Sequence, residues 1–274
     1  MNLNELRKKH EELLKGKVYA GANEGGEKYL KVEPGKNTIR ILPWKDDSKP
    51  FYAEAVIHRY TDDEGKLKNY FCRKTQNESC PVCDFYFELW KMHKELGLAP
   101  KTKSKFGDLA SKIKGTPRYY MNVIDRKFME TKSSDKDPAG AVKILSTGQK
   151  VFKKVLDGLF NVDMVDESDP ENTNILSLKK GNDFVLELGK SGEFNNYDQS
   201  TFRLKKTPAG TDREIKIWMD TLHDIHGNVQ IGDYDEGKRL VEYFRVSLDT
   251  TGISSSSDRD DDMGEKRFNK EVQV

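Results

Sequence analysis

An α+β fold, mainly β and organised around a small barrel, is what this sequence predicts, and three observations carry it. Several short segments rich in β-branched and aromatic side chains are bounded by Gly, Pro, Asn or Asp. Stretches with helical spacing interrupt them. The composition, 35% hydrophobic, 34% charged and 10% aromatic over 274 residues, is too polar for a membrane protein, too aromatic for a disordered chain, and long enough to bury a core.

The elements follow in chain order. Residues 1–17 place Leu3, Leu6, His10, Leu13 and Leu14 at helical spacing among Arg7, Lys8 and Lys9, an amphipathic basic arm. An isolated helix of this length is marginal in water, so it should order only against another surface. Residues 18–250 form the body. Strands are predicted at Thr38 to Leu42, Phe51 to Tyr60, Arg118 to Ile124, Phe184 to Leu188, Thr201 to Lys205 and Ile215 to Met219. Helices are predicted where Val82, Tyr86, Leu89, Trp90 and His93 share a face, where Val151, Val155, Leu156 and Leu159 do, and over Glu236 to Ser247. Thr131 to Gly140 and Asp166 to Asn174 read as exposed loops. Residues 251–274, with a Ser run and then Asp258, Asp260, Asp261 and Asp262, cannot bury enough surface to fold alone and form a flexible tail.

Charge and targeting exclude further classes. With 47 basic and 46 acidic residues the net charge is +1, yet Lys101 to Lys127 holds eight basic residues against two acidic ones, a hidden basic stripe. No apolar run reaches the roughly 18 residues of a membrane span, and no secretion signal opens the sequence, so a cytoplasmic protein with no membrane partner is expected. No G-x-x-x-x-G-K phosphate loop is present, so ATP-driven work is not expected. His223 and His226, beside Gly227-Asn228, read as turn residues.

All three cysteines, Cys72, Cys80 and Cys83, fall in one short stretch, the last two as Cys-Pro-Val-Cys. In such a turn two thiolates reach one metal while the second cysteine opens a helix. A fourth ligand comes from His58, which ends a strand whose hairpin through Asp62 to Lys68 returns beside it, or from His93, one helix downstream. The polar surroundings of Cys72 to Cys80 argue against merely buried thiols. A redox pair would need neither Cys72 nor a histidine, and a deaminase zinc would need His-x-Glu, whereas Arg59 and Tyr60 follow His58. A structural zinc with four protein ligands is the expectation.

Arg118, Tyr119 and Tyr120 follow closely on Lys112 and Lys114, and alternation along a strand turns one ring inward and the other outward. Phe194 and Tyr197 sit in a Gly- and Asn-rich stretch. Cations that follow phosphates beside rings that stack on unpaired bases suit single-stranded nucleic acid, although any one tyrosine is more often a half-buried core residue.

His58, Cys72, Cys80 and Cys83, Ile39-Arg40-Ile41-Leu42-Pro43, Tyr119-Tyr120 and Asn182-Asp183-Phe184 through Tyr197-Asp198 occur in one shared order. In this the sequence resembles the zinc-containing single-stranded DNA-binding, or helix-destabilising, proteins of T-even-type bacteriophages, from about Thr38 to Phe202. The resemblance implies an OB-fold barrel with an inserted zinc-binding subdomain at about residues 58–95 and additional helices. It also implies non-catalytic, cooperative coating of single-stranded DNA in replication, recombination and repair, inside an infected bacterial host. His58, Cys72, Cys80 and Cys83 become the zinc ligands. Arg40, Phe85, Tyr119, Tyr120, Phe194 and Tyr197 fall along the DNA cleft, joined by the cations Lys112, Lys114 and Arg118. Arg7, Lys8 and Lys9 would contact neighbouring copies, and the acidic run at Asp258 and Asp260 to Asp262 would meet replication and recombination proteins. Two alternatives use the same residues: a single-stranded RNA-binding regulator, and a zinc-dependent hydrolase drawing on His58 and the Asp260 to Asp262 run.

Overall fold

In the computed structural model the described residues are 3–15, 27–46, 48–62, 64–99, 102–129, 140–161 and 174–250. The tail predicted at 251–274, with Asp258, Asp260, Asp261 and Asp262, lies outside them, as do nearly all of the two predicted loops. The chain divides into two compact units, Met1–Ser79 with Gly115–Gly232, and Cys80–Lys114 with Asp233–Val274.

The first unit is one antiparallel sheet with helices. Its strands are β1 (Gly35–Ile41), β2 (Tyr52–Thr61), β3 (Leu67–Phe71), β4 (Thr116–Asp125), β5 (Lys143–Thr147), β6 (Gly181–Ser191), β7 (Phe194–Asn196) and β8 (Thr201–Thr207). The order runs β3-β2-β4-β1-β6-β7, with β5 along β4 and β8 along β6. Among the described residues the pairings trace a branched, open path, not the ring of a closed barrel.

Strand β4 is the hub, pairing with β1, β2 and β5, and every residue from Arg118 to Ile124 is buried. Its alternating side chains divide the core. Tyr119, Met121 and Val123 join Ile39, Phe152 and Phe184 in one cluster. Tyr120 packs with Ala53, Ala55 and Ile144 in another. Helix α4 (Gln149–Leu159) buries Val151, Phe152, Val155 and Leu156 on the Tyr119 side.

Ile215 to Met219, predicted as a strand, is instead part of helix α5 (Asp212–Asp220). The alternation of Ile215, Ile217 and Met219 imitates a strand, but Thr211 and Glu214 form a reciprocal capping box that nucleates a helix. Ile215 and Trp218 then fall on one helical face and, with Leu222 just past the helix, join Leu42 and Ile124 in one cluster. Strands β3, β5 and β7 add to the predicted set, β7 falling where the sequence reads as an irregular aromatic stretch.

Helix α1 (Leu3–Lys15) has its ordering surface in its own chain. Leu6 is buried in the Tyr119 cluster, the His10 ring nitrogen lies 2.6 Å from Asp157, and Lys9 donates to Glu54 at 2.8 Å. The Arg7 guanidinium lies 6.0 Å over the Phe160 ring.

The second unit holds α2 (Pro81–Glu95), α3 (Lys105–Ile113) and α6 (Tyr234–Thr250). Helix α2 buries Val82, Leu89 and His93 of the predicted face together with Phe85, while Tyr86 and Trp90 of that face are half-buried. Ser104 caps α3 by accepting from the Gly107 amide at 3.0 Å.

Burial alone would raise the Asp157 pKa, but hydrogen bonds from Lys153 and His10 outweigh it and hold the carboxyl below its usual range. A folded-state pKa lowered in this way stabilises the docked helix above the ordinary carboxylate range, and that contribution is lost as pH falls through the folded value. Asp157→Asn should therefore loosen α1 at neutral pH, and Leu6→Ala should loosen it more. Hydrogen exchange should show α1 amide protection falling at least about tenfold in Leu6→Ala, with β4 unaffected; unchanged protection in both variants would show that these contacts do not hold the helix.

Candidate metal centre and nucleic-acid interface

His58 lies on β2 opposite Tyr70 of β3, and the turn between the strands closes through the Asp62 amide to the Lys66 carbonyl at 3.0 Å. The chain returns to Cys72, whose amide donates to the Val56 carbonyl at 2.8 Å. A 3₁₀ turn at Arg73–Gln76 ends at Asn77, a left-handed residue with φ of 60° that reverses the backbone. Cys80 then caps α2, Pro81 opens the helix, and Cys83 follows in its first turn.

The ligand atoms of His58, Cys72, Cys80 and Cys83 all lie within 4.8 Å of one another. Three of these residues are buried and Cys83 is half-buried, and none is in a disulfide. With metal–sulfur bonds of about 2.3 Å, a tetrahedron has edges of about 3.8 Å, so a small contraction of this group would enclose one ion. Thiolates drawn this close in a buried site repel one another unless a cation or protons intervene, and three sulfurs with one imidazole satisfy a soft tetrahedral metal.

His93 is excluded by its own bonds: Nδ1 lies 2.6 Å from the Ser104 hydroxyl and Nε2 lies 3.0 Å from the Ala99 carbonyl. Gly115 matters at this site, because a Cβ there would stand 2.8 Å from Val56 Cγ1 and 3.2 Å from His58 Cε1, pressing on the ligand ring.

The predicted interface residues separate by exposure. Phe194, the first residue of β7, is 77% exposed, and Lys112, on the last turn of α3, is also exposed. Lys114 caps that helix and is half-buried. Arg40, Arg118, Tyr119, Tyr120 and Tyr197 are all buried. Tyr119 stacks on Phe152 at 4.0 Å, donates its hydroxyl to Glu54 at 3.2 Å, and has the Lys9 ammonium 5.8 Å over its ring. Burial pushes the Tyr197 phenol up, tempered by the charge of Arg118. Phe85 stacks on Phe244 at 6.5 Å, with the Arg245 guanidinium 4.8 Å over its ring. Of the arm cations, Arg7 and Lys8 are exposed, while Lys9 is turned to Glu54.

Arg40 is fully enclosed. Its Nε donates to Asp183 at 2.8 Å and its Nη2 to the Thr207 carbonyl at 2.8 Å and hydroxyl at 2.7 Å. Arg126 Nε donates to the same Asp183 oxygen at 2.9 Å. Gly181 makes room, since a Cβ there would stand 2.4 Å from Arg40 Nη1. Sequence reasoning missed Asp183 and Arg126; the available signal was that an arginine inside an apolar strand needs a buried acid.

A β-sheet binding domain with a buried cysteine–histidine cluster is the class these elements define. Residues 33–244 match the family described as gp32 DNA binding protein like, and the chain belongs to that family. It is 27% identical over 251 residues to the single-stranded DNA-binding protein of Enterobacteria phage T2, across 86% of this chain and 74% of that protein. It is also 27% identical over 214 residues to the single-stranded DNA-binding protein of Enterobacteria phage T4, across 73% of this chain and 62% of that one.

Metal analysis separates the two histidines. His58→Ala should lose the bound ion and lower the melting temperature, while His93→Gln should retain one ion per chain. Gly115→Ala should keep the ion but weaken its hold, read as faster loss to a chelator. Retention of the ion by His58→Ala would remove His58 from the ligand set.

Proposed function

We propose that this protein binds single-stranded DNA without catalysis, and the observation that carries this is membership of the gp32-like family across residues 33–244. Two relatives are phage single-stranded DNA-binding proteins, and the exposed Phe194 ring offers a stacking face for an unpaired base. By preferring unpaired strands, the protein shifts a duplex toward melting by as much as its affinities for the two forms differ.

The metal in this proposal is one structural zinc. Four protein ligands leave no open position for a substrate or an activated water, which separates this centre from a hydrolytic one. The sheet is proposed to be the family's OB-type core. Cooperative coating would use Arg7 and Lys8 toward neighbouring copies, and the acidic run at Asp258 and Asp260 to Asp262 would meet replication and recombination proteins. The place of action is the interior of an infected bacterial cell; among the described residues no helix is long and apolar enough to cross a membrane.

In this reading the exposed Phe194 touches the strand, and the buried Tyr119 and Tyr197 support the surface beneath it. Phe194→Ala should weaken binding to a short oligodeoxythymidylate by about 1–3 kcal/mol with the salt slope unchanged. Matched DNA and RNA oligomers in the same titration test the polymer: equal or tighter RNA binding would favour an RNA-binding regulator. Cys80→Ser should lower thermal stability and the zinc content together. Protein purified without chelator and free of zinc would reject a zinc centre.

A further inference from the structure

The stretch from Tyr70 to Arg73 does two things at once. Cys72 belongs to the metal group, and its neighbours Tyr70, Phe71 and Arg73 all hold one residue far along the chain, Gly232. The Tyr70 ring lies so close over Gly232 that a Cβ there would stand 2.3 Å from Tyr70 Cε2. The Phe71 carbonyl accepts from the Gly232 amide at 2.8 Å. Arg73 Nη1 donates to the Gly232 carbonyl at 2.9 Å. The amide, the carbonyl and the bare Cα of Gly232 are thus each engaged by a residue beside one ligand.

The grip reaches the other ligands as well. Tyr70 is the strand partner of His58, and their ring centroids are 6.2 Å apart. Tyr70 is 2% exposed, so close packing leaves its ring little room to swing away. Arg73 Nε donates to the carbonyl of Ser79, one residue before Cys80, at 3.0 Å, and Nη2 pairs with Glu78. One guanidinium therefore closes the loop between Cys72 and Cys80 and reaches Gly232 with the same planar fork, a geometry that a lysine ammonium does not offer. Beyond Gly232 comes Asp233, whose carboxylate accepts from the Glu236 amide at 2.9 Å and whose carbonyl accepts from the Gly237 amide at 3.0 Å, closing the first turn of α6.

We propose that Arg73 is a positioning residue of the metal centre, and that occupancy of the centre is coupled through Gly232 to the first turn of α6. The inference rests on His58, Cys72, Cys80 and Cys83 holding one ion, as proposed above, and is independent of nucleic-acid binding. An ion that fixes Cys72 fixes the backbone of Phe71 and Arg73 on either side, and with it both hydrogen bonds to Gly232. Such coupling is reciprocal: a change at Gly232 alters the hold on the ion by the same factor by which the ion alters the hold on Gly232.

The test loads the full-length parent, Arg73→Gln, Arg73→Lys, Gly232→Ala and Glu78→Gln with one zinc ion per chain and times its loss to a chelator. Groups that orient metal ligands are worth about 10- to 100-fold in metal affinity, so Arg73→Gln and Gly232→Ala should release the ion at least about tenfold faster. Glu78→Gln leaves both carbonyl bonds of Arg73 in place and should match the parent. Arg73→Lys keeps the positive charge but loses the fork, and should not rescue. With cobalt(II) in place of zinc, Arg73→Gln should shift the visible ligand-field bands, a change of ligand geometry that lowered stability alone does not produce. Amide exchange in metal-loaded Arg73→Gln should rise about tenfold at Gly232, Glu236 and Gly237, while β1 and β6 keep the parent's protection. Should Gly232→Ala fail to fold, the two Arg73 variants decide. Parent-like release and bands in Arg73→Gln, full rescue by Arg73→Lys, or exchange rising equally in β1 and β6 would overturn the proposal while the metal centre stands. A parent that takes up no ion would overturn the centre and the coupling together.

Discussion

Strand β4 has water on neither face. Seven consecutive buried residues, paired to three other strands, must send alternate side chains into two separate cores. Much follows from this one constraint. Tyr119 and Tyr120 cannot both be surface rings, and neither is: each is sealed in its own cluster. Large exposed rings are left to other elements, as at Phe194 on the short strand β7.

The metal group rests on a different principle, local chain economy. His58 and Cys72 are brought together by one hairpin, and Cys80 and Cys83 by the first turn of α2, so hydrogen bonds between near neighbours assemble the ligands. The single left-handed non-glycine residue among those described, Asn77, sits in this stretch. Its side chain tolerates that conformation better than a branched one would, and the turn back toward Cys80 depends on it.

The same contrast explains what the sequence disclosed. The His58, Cys72, Cys80 and Cys83 group was legible because its ligands and their spacing are local. The α2 face was legible because Val82, Leu89 and His93 repeat at helical spacing. Strand Ile215 to Met219 was misjudged because three alternating apolar residues weigh more in a short window than a cap at Thr211. Arg40 falls along the DNA cleft only by resemblance, and its burial is not legible because its acid, Asp183, lies 143 residues away, a distance no local pattern spans.

Helix α1 covers part of the surface of the chain to which it is tethered. A tethered ligand competes at an effective concentration in the millimolar range, so a second molecule offering the same Leu6, Lys9 and His10 contacts begins at a disadvantage. In dilute solution the helix stays home. Exchange between molecules would need copies held at a comparable local density.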